Sequence, residues 1–175
     1  MCLLAKMEDS RRIRGFVGYS ISDDGDVWNI KSGKLLKPTL TNGYARLCLK
    51  NTAGAFRRCW VHRLVARMYV INPRPDIFLQ VDHIDQNPLN NHRSNLRWLS
   101  RQLNLLNSSS LGCSFHKGYS KWHAQMMVGG VTTHLGYYKT FLEGHRAYRA
   151  ARTAAFAMLY TKLVSEGPRN VEFLP

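Results

Sequence analysis

The most informative part of the chain reads Val81-Asp82-His83-Ile84-Asp85-Gln86-Asn87-Pro88-Leu89-Asn90-Asn91, and Asn95-Leu96-Arg97-Trp98 and Asn104 follow it. It combines an aspartate-histidine pair with one asparagine twelve residues after the histidine and another nine residues further on. In the second piece apolar and polar residues alternate, which indicates a half-buried strand. Ser100 is a suitable N-cap for a helix that carries Asn104. The stretch therefore predicts a strand, an ordered polar loop, a second strand and a helix.

The polar residues of this stretch suit metal-assisted hydrolysis of a phosphodiester. That reaction needs a nucleophilic water, a cation that neutralises negative charge, and help for the leaving oxygen. The imidazole of His83 suits the first task because histidine titrates near neutral pH. The carboxylate of Asp82 and the amide oxygen of Asn104 are ligands for a hard divalent cation. Neighbouring side chains on a regular strand point to opposite faces, so Asp82 and His83 share one site only if the strand bends or ends there.

This stretch resembles the HNH nucleases, whose ββα-metal fold is named after three motif positions. His83, Asn95 and Asn104 fall on those positions, with asparagine in place of the final histidine, as in the homing-endonuclease branch. The resemblance implies that His83 is the general base and that Asn95 braces the loop through backbone hydrogen bonds. It also implies that Asp82 and Asn104 bind one Mg²⁺ or Mn²⁺ ion, which contacts the scissile phosphate.

Each of these residues alone also has an ordinary structural explanation. Asp82 could accept a hydrogen bond in a turn, and the loop asparagines could simply stabilise turns. The ordered set favours the nuclease because all of its parts occur together in a fitting context. His62 lies in Val61-His62-Arg63-Leu64-Val65-Ala66, which resembles a segment that precedes the nuclease motif in phage homing endonucleases. For His62 we expect a capping or packing role rather than metal binding.

Composition points to a polyanionic partner. The 175 residues include 25 Lys and Arg against 11 Asp and Glu, a formal charge of +14 that is spread along the whole chain. Such an excess favours extended contact with nucleic acid, although net charge also serves solubility. The four cysteines form no Cys-x-x-Cys pair, and no apolar run approaches the roughly 18 residues of a membrane span. We expect a cytoplasmic protein with no membrane contact, in the host cytoplasm if a phage encodes it.

Residues 15–61 predict β-hairpins with turns at Asp23-Asp24-Gly25 and Asn42-Gly43. From His62 onward a helical spacing of apolar residues begins, and the helix should stop before Asn72-Pro73. Together with Gly15-Phe16-x-Gly18-Tyr19, the turns resemble an N-terminal segment often joined to such nucleases in phage proteins. The resemblance implies contact with DNA through basic side chains, unless several of these merely lie on a solvated strand face. The candidates are Lys31, Lys34, Lys37, Arg46, Arg57 and Arg58, with Arg97 added from the nuclease motif.

The C-terminal part predicts three short strands and a long helix. The strands are Ser114 to Lys117, Trp122 to Val128 and Thr132 to Tyr138, and the helix runs from Phe141 to about Val164. The segment Ser108-Ser109-Ser110 is typical of a linker before this module.

This module resembles the apetala/ERF-type DNA-binding domain. The resemblance rests on Gly112-Cys113-Ser114-Phe115, Lys121-Trp122-x-Ala124, Leu135-Gly136-Tyr137-Tyr138, and Glu143 with Ala147-Tyr148-x-x-Ala151. In that family the sheet lies in the major groove and the helix packs behind it. The resemblance implies contacts from His116, Lys117, Lys121, Trp122, Gln125 and Thr133. Trp122 could equally belong to the core, since alternation does not decide which face it takes.

We therefore predict an α+β protein of small modules: N-terminal β-hairpins with a helix, a central ββα-metal unit, and a C-terminal three-stranded sheet packed on one helix. The predicted boundaries are residues 1–61, 62–108 and 109–175. The predicted function is a site-specific homing endonuclease that nicks one strand of double-stranded DNA as a monomer, with a homodimer as the alternative state. The rival functions are a non-catalytic DNA-binding regulator that retains the scaffold, and an RNA-binding protein.

Overall fold

The computed structural model describes residues 3–108 and 110–167. Ser109 of the predicted linker lies outside the described residues. The chain divides into two compact units. The first unit comprises the chain up to Asn72 together with Val81–Trp98, and the second comprises Pro73–Gln80 and the chain from Leu99 onward. Both units mix strands and helices, which confirms the predicted α+β class.

The first half of the chain contains nine regular elements among its described residues. They are α1 (Leu3–Glu8), β1 (Arg11–Arg12), β2 (Tyr19–Ile21), β3 (Val27–Asn29), β4 (Lys34–Leu35), β5 (Thr39–Thr41), β6 (Tyr44–Lys50), β7 (Phe56–Trp60) and α2 (Val61–Tyr69). Strands β1 to β4 form one sheet in sequence order, and β5 to β7 form another. Helix α2 ends at Tyr69, before Asn72-Pro73 as predicted.

The second half begins with the segment that holds the nuclease motif. Its elements are β8 (Gln80–His83), a 3₁₀ turn (Arg93–Asn95), β9 (Leu96–Leu99), α3 (Arg101–Leu106), β10 (Cys113–His116), a second 3₁₀ turn (Lys117–Tyr119), β11 (Lys121–Val128), β12 (Val131–Tyr138) and α4 (Phe141–Ser165). Strands β8 and β9 pair with each other, and β10, β11 and β12 form a three-stranded antiparallel sheet. The predicted order of strand, loop, strand and helix is confirmed.

The hydrophobic core of the first unit draws on distant parts of the sequence. Strand β6 alternates buried and more exposed residues, as a strand with one covered face does. Its buried residues join others from β2, β3, α2 and β9. The cluster consists of Ile13, Ile21, Val27, Ala45, Leu47, Leu49, Val61, Leu64, Val65 and Leu96. The predicted boundary between residues 61 and 62 runs through this core, so the three predicted parts do not coincide with the two compact units.

Local turn chemistry accounts for both predicted N-terminal hairpins. Asn42 and Gly43 have φ values of 49° and 81°, the left-handed pair that a tight hairpin turn requires, and Thr41 pairs with Tyr44 across it. Gly25 closes the turn between β2 and β3 with φ +96°. A Cβ on Gly25 would lie 2.8 Å from Cγ1 of Val61 and 3.1 Å from Cβ of Asn91. The turn therefore packs directly against the start of α2 and against the loop of the nuclease motif.

In the second unit α4 packs on one face of the sheet. Helix α4 begins with a capping box in which Thr140 and Glu143 bond each other's backbone amides. Ala124 of β11 and Tyr148 of α4 are buried in this interface. A Cβ on Gly144 would lie 2.5 Å from Sγ of Cys113, so a glycine is needed for this close approach. The predicted strands and long helix of this module are confirmed to within one residue at each end.

No helix in the described ranges is both long enough and apolar enough to cross a membrane.

Candidate active site

His83 and Asp82 are the last two residues of β8, where the strand passes into the polar loop. Both are buried, with 6% and 7% of their surface exposed. Neighbouring side chains can serve one site only where a strand bends or ends, and β8 ends at His83. The loop that follows returns to β9 through the 3₁₀ turn at Arg93–Asn95.

Asn95 ties the two ends of this loop together. Its Oδ1 accepts a hydrogen bond from the Asp85 amide at 3.1 Å, and its Nδ2 donates to the Asn90 carbonyl at 2.8 Å and to Asp85 Oδ1 at 2.9 Å. Asn90 Nδ2 donates to the other oxygen of Asp85 at 2.7 Å. Hydrogen bonds lower the pKa of Asp85; the bond from Asn90 has the largest effect, and those from Asn87 and Asn95 add to it. An ionised Asp85 therefore anchors the loop, a role that its place at the start of an Asx turn could have indicated.

Asn91 fixes the ring of His83. Its Oδ1 lies 3.3 Å from Nε2 of His83, and its Nδ2 donates to the Leu89 carbonyl. Because the amide nitrogen is used by Leu89, the oxygen faces the imidazole and accepts a hydrogen bond from Nε2–H. The lone pair of His83 is then on Nδ1. No role was predicted for Asn91, because a run of neighbouring asparagines gives no sign of which one faces the histidine.

Aromatic rings surround the other side of His83. The ring of His62 lies 5.1 Å from it and that of Tyr44 lies 5.9 Å from it, centroid to centroid. Burial, and then the nearby His83 and Arg63, lower the pKa of His62 to about 4. The N-cap of α2 is Trp60, so the capping role predicted as one alternative for His62 is wrong, and the packing alternative is confirmed.

Asp82 is paired with Arg97 across the β8–β9 hairpin. Arg97 Nε donates to Asp82 Oδ2 at 2.8 Å, and the side chain of Asp82 is only 8% exposed. The guanidinium holds the carboxylate in one orientation and offsets its charge. Arg97 was predicted as a DNA contact, and the structure gives it this bond to the predicted metal ligand.

Asn104 lies on α3, in the second unit. The helix is capped by Ser100, whose Oγ accepts from the Leu103 amide at 3.3 Å, as predicted. Asn104 Nδ2 donates to Gln80 Oε1 at 2.8 Å, and this bond does not use the amide oxygen. A carboxylate oxygen from Asp82 and an amide oxygen from Asn104 suit Mg²⁺ or Mn²⁺, which prefer oxygen ligands. That the two residues bind one ion stays a prediction.

Another group with metal-ligating side chains consists of Asp23, Asp24 and His92. Asp24 pairs with Lys6, and this bond is the main cause of the lowered pKa of its carboxyl group. Asp23 pairs with Arg93 at 3.3 Å. Nδ1 of His92 accepts a hydrogen bond from the Ser94 amide, so its Nε2 carries the proton. Bonds within the protein account for this group.

Three of the predicted basic contacts of the first unit, Arg46, Arg57 and Arg58, lie on its second sheet. Arg57 and Arg58 are exposed on β7, and the guanidinium of Arg46 lies 5.8 Å from the ring centre of Trp60. Arg46 also lines an open groove of about 620 Å³ together with Lys34 and Lys37. The structure thus brings three of the predicted phosphate contacts together in one groove.

The sheet of the second unit has one face that is not covered by α4. His116, Lys117, Lys121 and Gln125 are exposed. Five rings lie together on this open face, with neighbouring centroids 4.7 to 6.5 Å apart. They belong to His116, Tyr119, His123, His134 and Tyr137. Of these five, only His116 was predicted from the sequence as a DNA contact. A register shift next to Ala124 breaks the simple alternation of residues in the β11–β12 pair.

Trp122 takes the opposite face. Its ring lies 5.1 Å from that of Phe141 on α4 and 5.5 Å from that of Phe115. This placement favours the alternative in which the indole belongs to the core of the module.

Two family models match the chain. A model described as HNH endonuclease matches residues 59–106, which contain β8, β9 and α3. Residues 59–106 are thus similar to HNH endonuclease domains, and we call them the HNH domain. A model described as NUMOD4 motif matches residues 11–50, on the N-terminal side of the HNH domain.

The chain is similar to several phage and viral proteins. DNA endonuclease I-HmuI from Bacillus phage SP01 is 40% identical over 102 residues, which cover 57% of this chain and 57% of that protein. Uncharacterized HNH endonuclease L245 from Acanthamoeba polyphaga mimivirus is 44% identical over 96 residues, covering 54% of this chain and 28% of that protein. H-N-H endonuclease F-TflII from Escherichia phage T5 is 33% identical over 97 residues, which cover 55% of this chain and 50% of that protein.

A solved structure also matches, described as DNA binding and cleavage by the HNH homing endonuclease I-HmuI. It is 36% identical to this chain, covers 56% of both chains, and has a TM-score of 0.49. The chain thus spans little more than half the length of I-HmuI and about a quarter of the length of L245.

Proposed function

We propose that this chain is a site-specific DNA endonuclease of the homing type, which hydrolyses a phosphodiester with the help of a divalent cation. The observation that carries the proposal is the fixed imidazole of His83, whose Nε2–H bonds Asn91 inside a loop braced by Asn95. The HNH domain contains all three residues. The name of I-HmuI, a DNA endonuclease, supports DNA as the substrate, and that of F-TflII, an H-N-H endonuclease, supports the class of enzyme.

In the proposed reaction Nδ1 of His83 takes a proton from water while the water oxygen bonds to phosphorus. The 3′ oxygen leaves and takes a proton from solvent, so the products carry 5′-phosphate and 3′-hydroxyl ends. Asp82 and Asn104 are the proposed ligands of one Mg²⁺ or Mn²⁺ ion. When bound, the cation supplies positive charge to the scissile phosphate. Arg97 positions the carboxylate of Asp82, and Asn95 positions the loop that carries the base.

The proposed DNA contacts lie in both units. The first unit contributes basic residues of its second sheet, and the second contributes the open face of an apetala/ERF-like module. The residues are Arg46, Arg57, Arg58, His116, Lys117, Lys121 and Gln125. A small ββα unit has few phosphate contacts of its own, so these flanking surfaces supply most of the affinity.

One proposed site per chain predicts that a monomer nicks one strand, and two chains are needed for a double-strand break. The proposed location is the cytoplasm of the cell that holds the target DNA. The NUMOD4 motif and the net charge of +14 support DNA as the polyanion that the chain meets there.

The experiment is cleavage of supercoiled plasmid with Mg²⁺, Mn²⁺ or EDTA. Substituting His83→Ala removes the proposed base, and we expect the rate to fall by about 10²-fold or more. His92→Ala, in the same loop, is the control, and its cleavage rate should stay near the wild-type value. Substituting Asn104→Ala should shift the Mg²⁺ titration to higher concentration, because a ligand is lost.

Equal cleavage by wild type and His83→Ala would refute the assigned base. Tight DNA binding by the wild type without cleavage in either metal would instead favour the regulator that retains the scaffold. Competition between duplex DNA and RNA at one stated salt concentration distinguishes the RNA-binding alternative.

A further inference from the structure

A second buried imidazole lies beside the proposed base and has no role in the reaction described so far. His62 is 7% exposed, and its ring meets that of His83 edge-on at 5.1 Å with an interplanar angle of 62°. The rings of Tyr44, at 5.3 Å, and Trp60, at 6.3 Å, enclose it on other sides. All four rings belong to the first unit.

Packing explains the position of this ring but not its chemical nature. A phenyl ring would fill the same space without any polar atom. Nδ1 of His62 is buried and has no hydrogen-bond partner among the described residues. A buried polar atom without a partner destabilises the fold, so an imidazole is unfavourable here unless another group supplies a hydrogen bond.

His62 is suited to accept a hydrogen bond without taking up a proton. Burial, together with His83 and Arg63, lowers its pKa to about 4, so the ring is neutral at neutral pH. A neutral imidazole has one N–H and one lone pair.

We propose that His62 is a further catalytic residue of this site, and that its Nδ1 accepts a hydrogen bond from the water that His83 activates. This inference rests on the proposed function. The water has two O–H bonds. One proton passes to Nδ1 of His83 as the oxygen bonds to phosphorus and the 3′ oxygen departs with a proton from solvent. The other O–H stays bonded to His62, which directs the lone pair of the water at the phosphorus.

The test compares two substitutions at the same position. His62→Phe keeps an aromatic ring of similar size and removes the acceptor. His62→Asn removes the ring but puts an amide oxygen close to where Nδ1 lies. His145→Phe makes the same chemical change at a half-buried histidine of α4 and is the control. Each protein is first checked by thermal unfolding, and then kcat, KM and DNA affinity are measured with Mg²⁺ and a duplex containing the cleavage site.

We expect His62→Phe to lower kcat by about 10- to 100-fold with KM changed less than about twofold, since the lost bond acts on the water and not on DNA binding. His62→Asn should recover most of that loss, and His145→Phe should match the wild type. If His62→Phe is unfolded at the assay temperature, His62→Asn is compared with His62→Gln, whose oxygen reaches the Nε2 position, and His62→Asn should be faster.

Wild-type kcat in His62→Phe would overturn the inference, as would an equal loss in His62→Phe and His62→Asn, or a loss confined to DNA affinity. Equal rates for His62→Asn and His62→Gln would also overturn it. Failure of the proposed function would give different results. If the proposed function is wrong, the wild type does not cut DNA, or His83→Ala cuts as fast as the wild type.

Discussion

At the scale of single residues, the first unit contains a group of buried polar side chains that all have hydrogen-bond partners. Asp82 is hydrogen-bonded to Arg97, His83 to Asn91, and Asn95 to the loop backbone. Satisfied polar networks of this kind hold side chains in one geometry, whereas unsatisfied ones destabilise the fold. The chemistry proposed for His83 depends on that fixed geometry as much as on the residue types.

His62 should make the stability of the protein depend on pH. Its pKa is lowered from 6.5 to about 4 in the folded state, so between these values the unfolded chain binds more protons. Stability is therefore fully present above about pH 6.5 and falls as the pH drops toward 4. Between pH 7 and pH 5 the wild type should lose about 2 kcal/mol more free energy of unfolding than His62→Phe, measured by urea denaturation. Parallel pH curves for the two proteins would show that His62 titrates normally.

At the scale of elements, the turn between β2 and β3 supports the loop of the nuclease motif. Gly25 has a left-handed backbone and lies close to Val61 and Asn91. The Arg93 amide also donates to the Asp23 carbonyl of the same turn at 2.8 Å. The NUMOD4 segment thus contacts the loop that orients His83.

We expect Gly25→Ala to reduce both stability and cleavage. The new methyl group meets Val61 and Asn91, and the backbone is strained, so unfolding free energy should fall by about 2 to 4 kcal/mol. Gly33→Ala is the matched control, since Gly33 also has a positive φ, of 64°, but no atom within 4 Å of the added Cβ. It should lose only about 1 kcal/mol and cleave normally. Equal effects of the two substitutions, in urea denaturation and plasmid cleavage, would contradict the contact.

The sequence predicted those elements whose signals are local. The Asn42-Gly43 turn, the Ser100 cap and the strands β10 to β12 follow from turn chemistry, capping and alternation. The bond between Arg97 and Asp82 and the contact of His62 with His83 join residues 15 and 21 positions apart. Pairs of this kind depend on tertiary packing, which no local pattern encodes.

At the scale of the whole molecule, DNA cleavage and most of the DNA binding are proposed for different surfaces. A substitution on the binding surface should therefore lower DNA affinity without changing turnover. Lys121→Ala removes one exposed charge from the open face of the second unit's sheet. We expect weaker binding to the target duplex. The slope of log K against the logarithm of salt concentration should also be smaller in magnitude by about one. Turnover at saturating DNA should be unchanged. Lys162→Ala, on exposed α4, is the control, and loss of turnover with intact affinity in Lys121→Ala would contradict the separation.

The path of the backbone limits how this protein can be taken apart. The chain leaves the first unit after Asn72, returns at Val81 and leaves again after Trp98. No single cut therefore yields either unit as an uninterrupted fragment. A gene fusion that borrowed residues 59–106 alone would lack the strands that complete its hydrophobic core, so transplanting the nuclease into another protein requires the NUMOD4 segment as well.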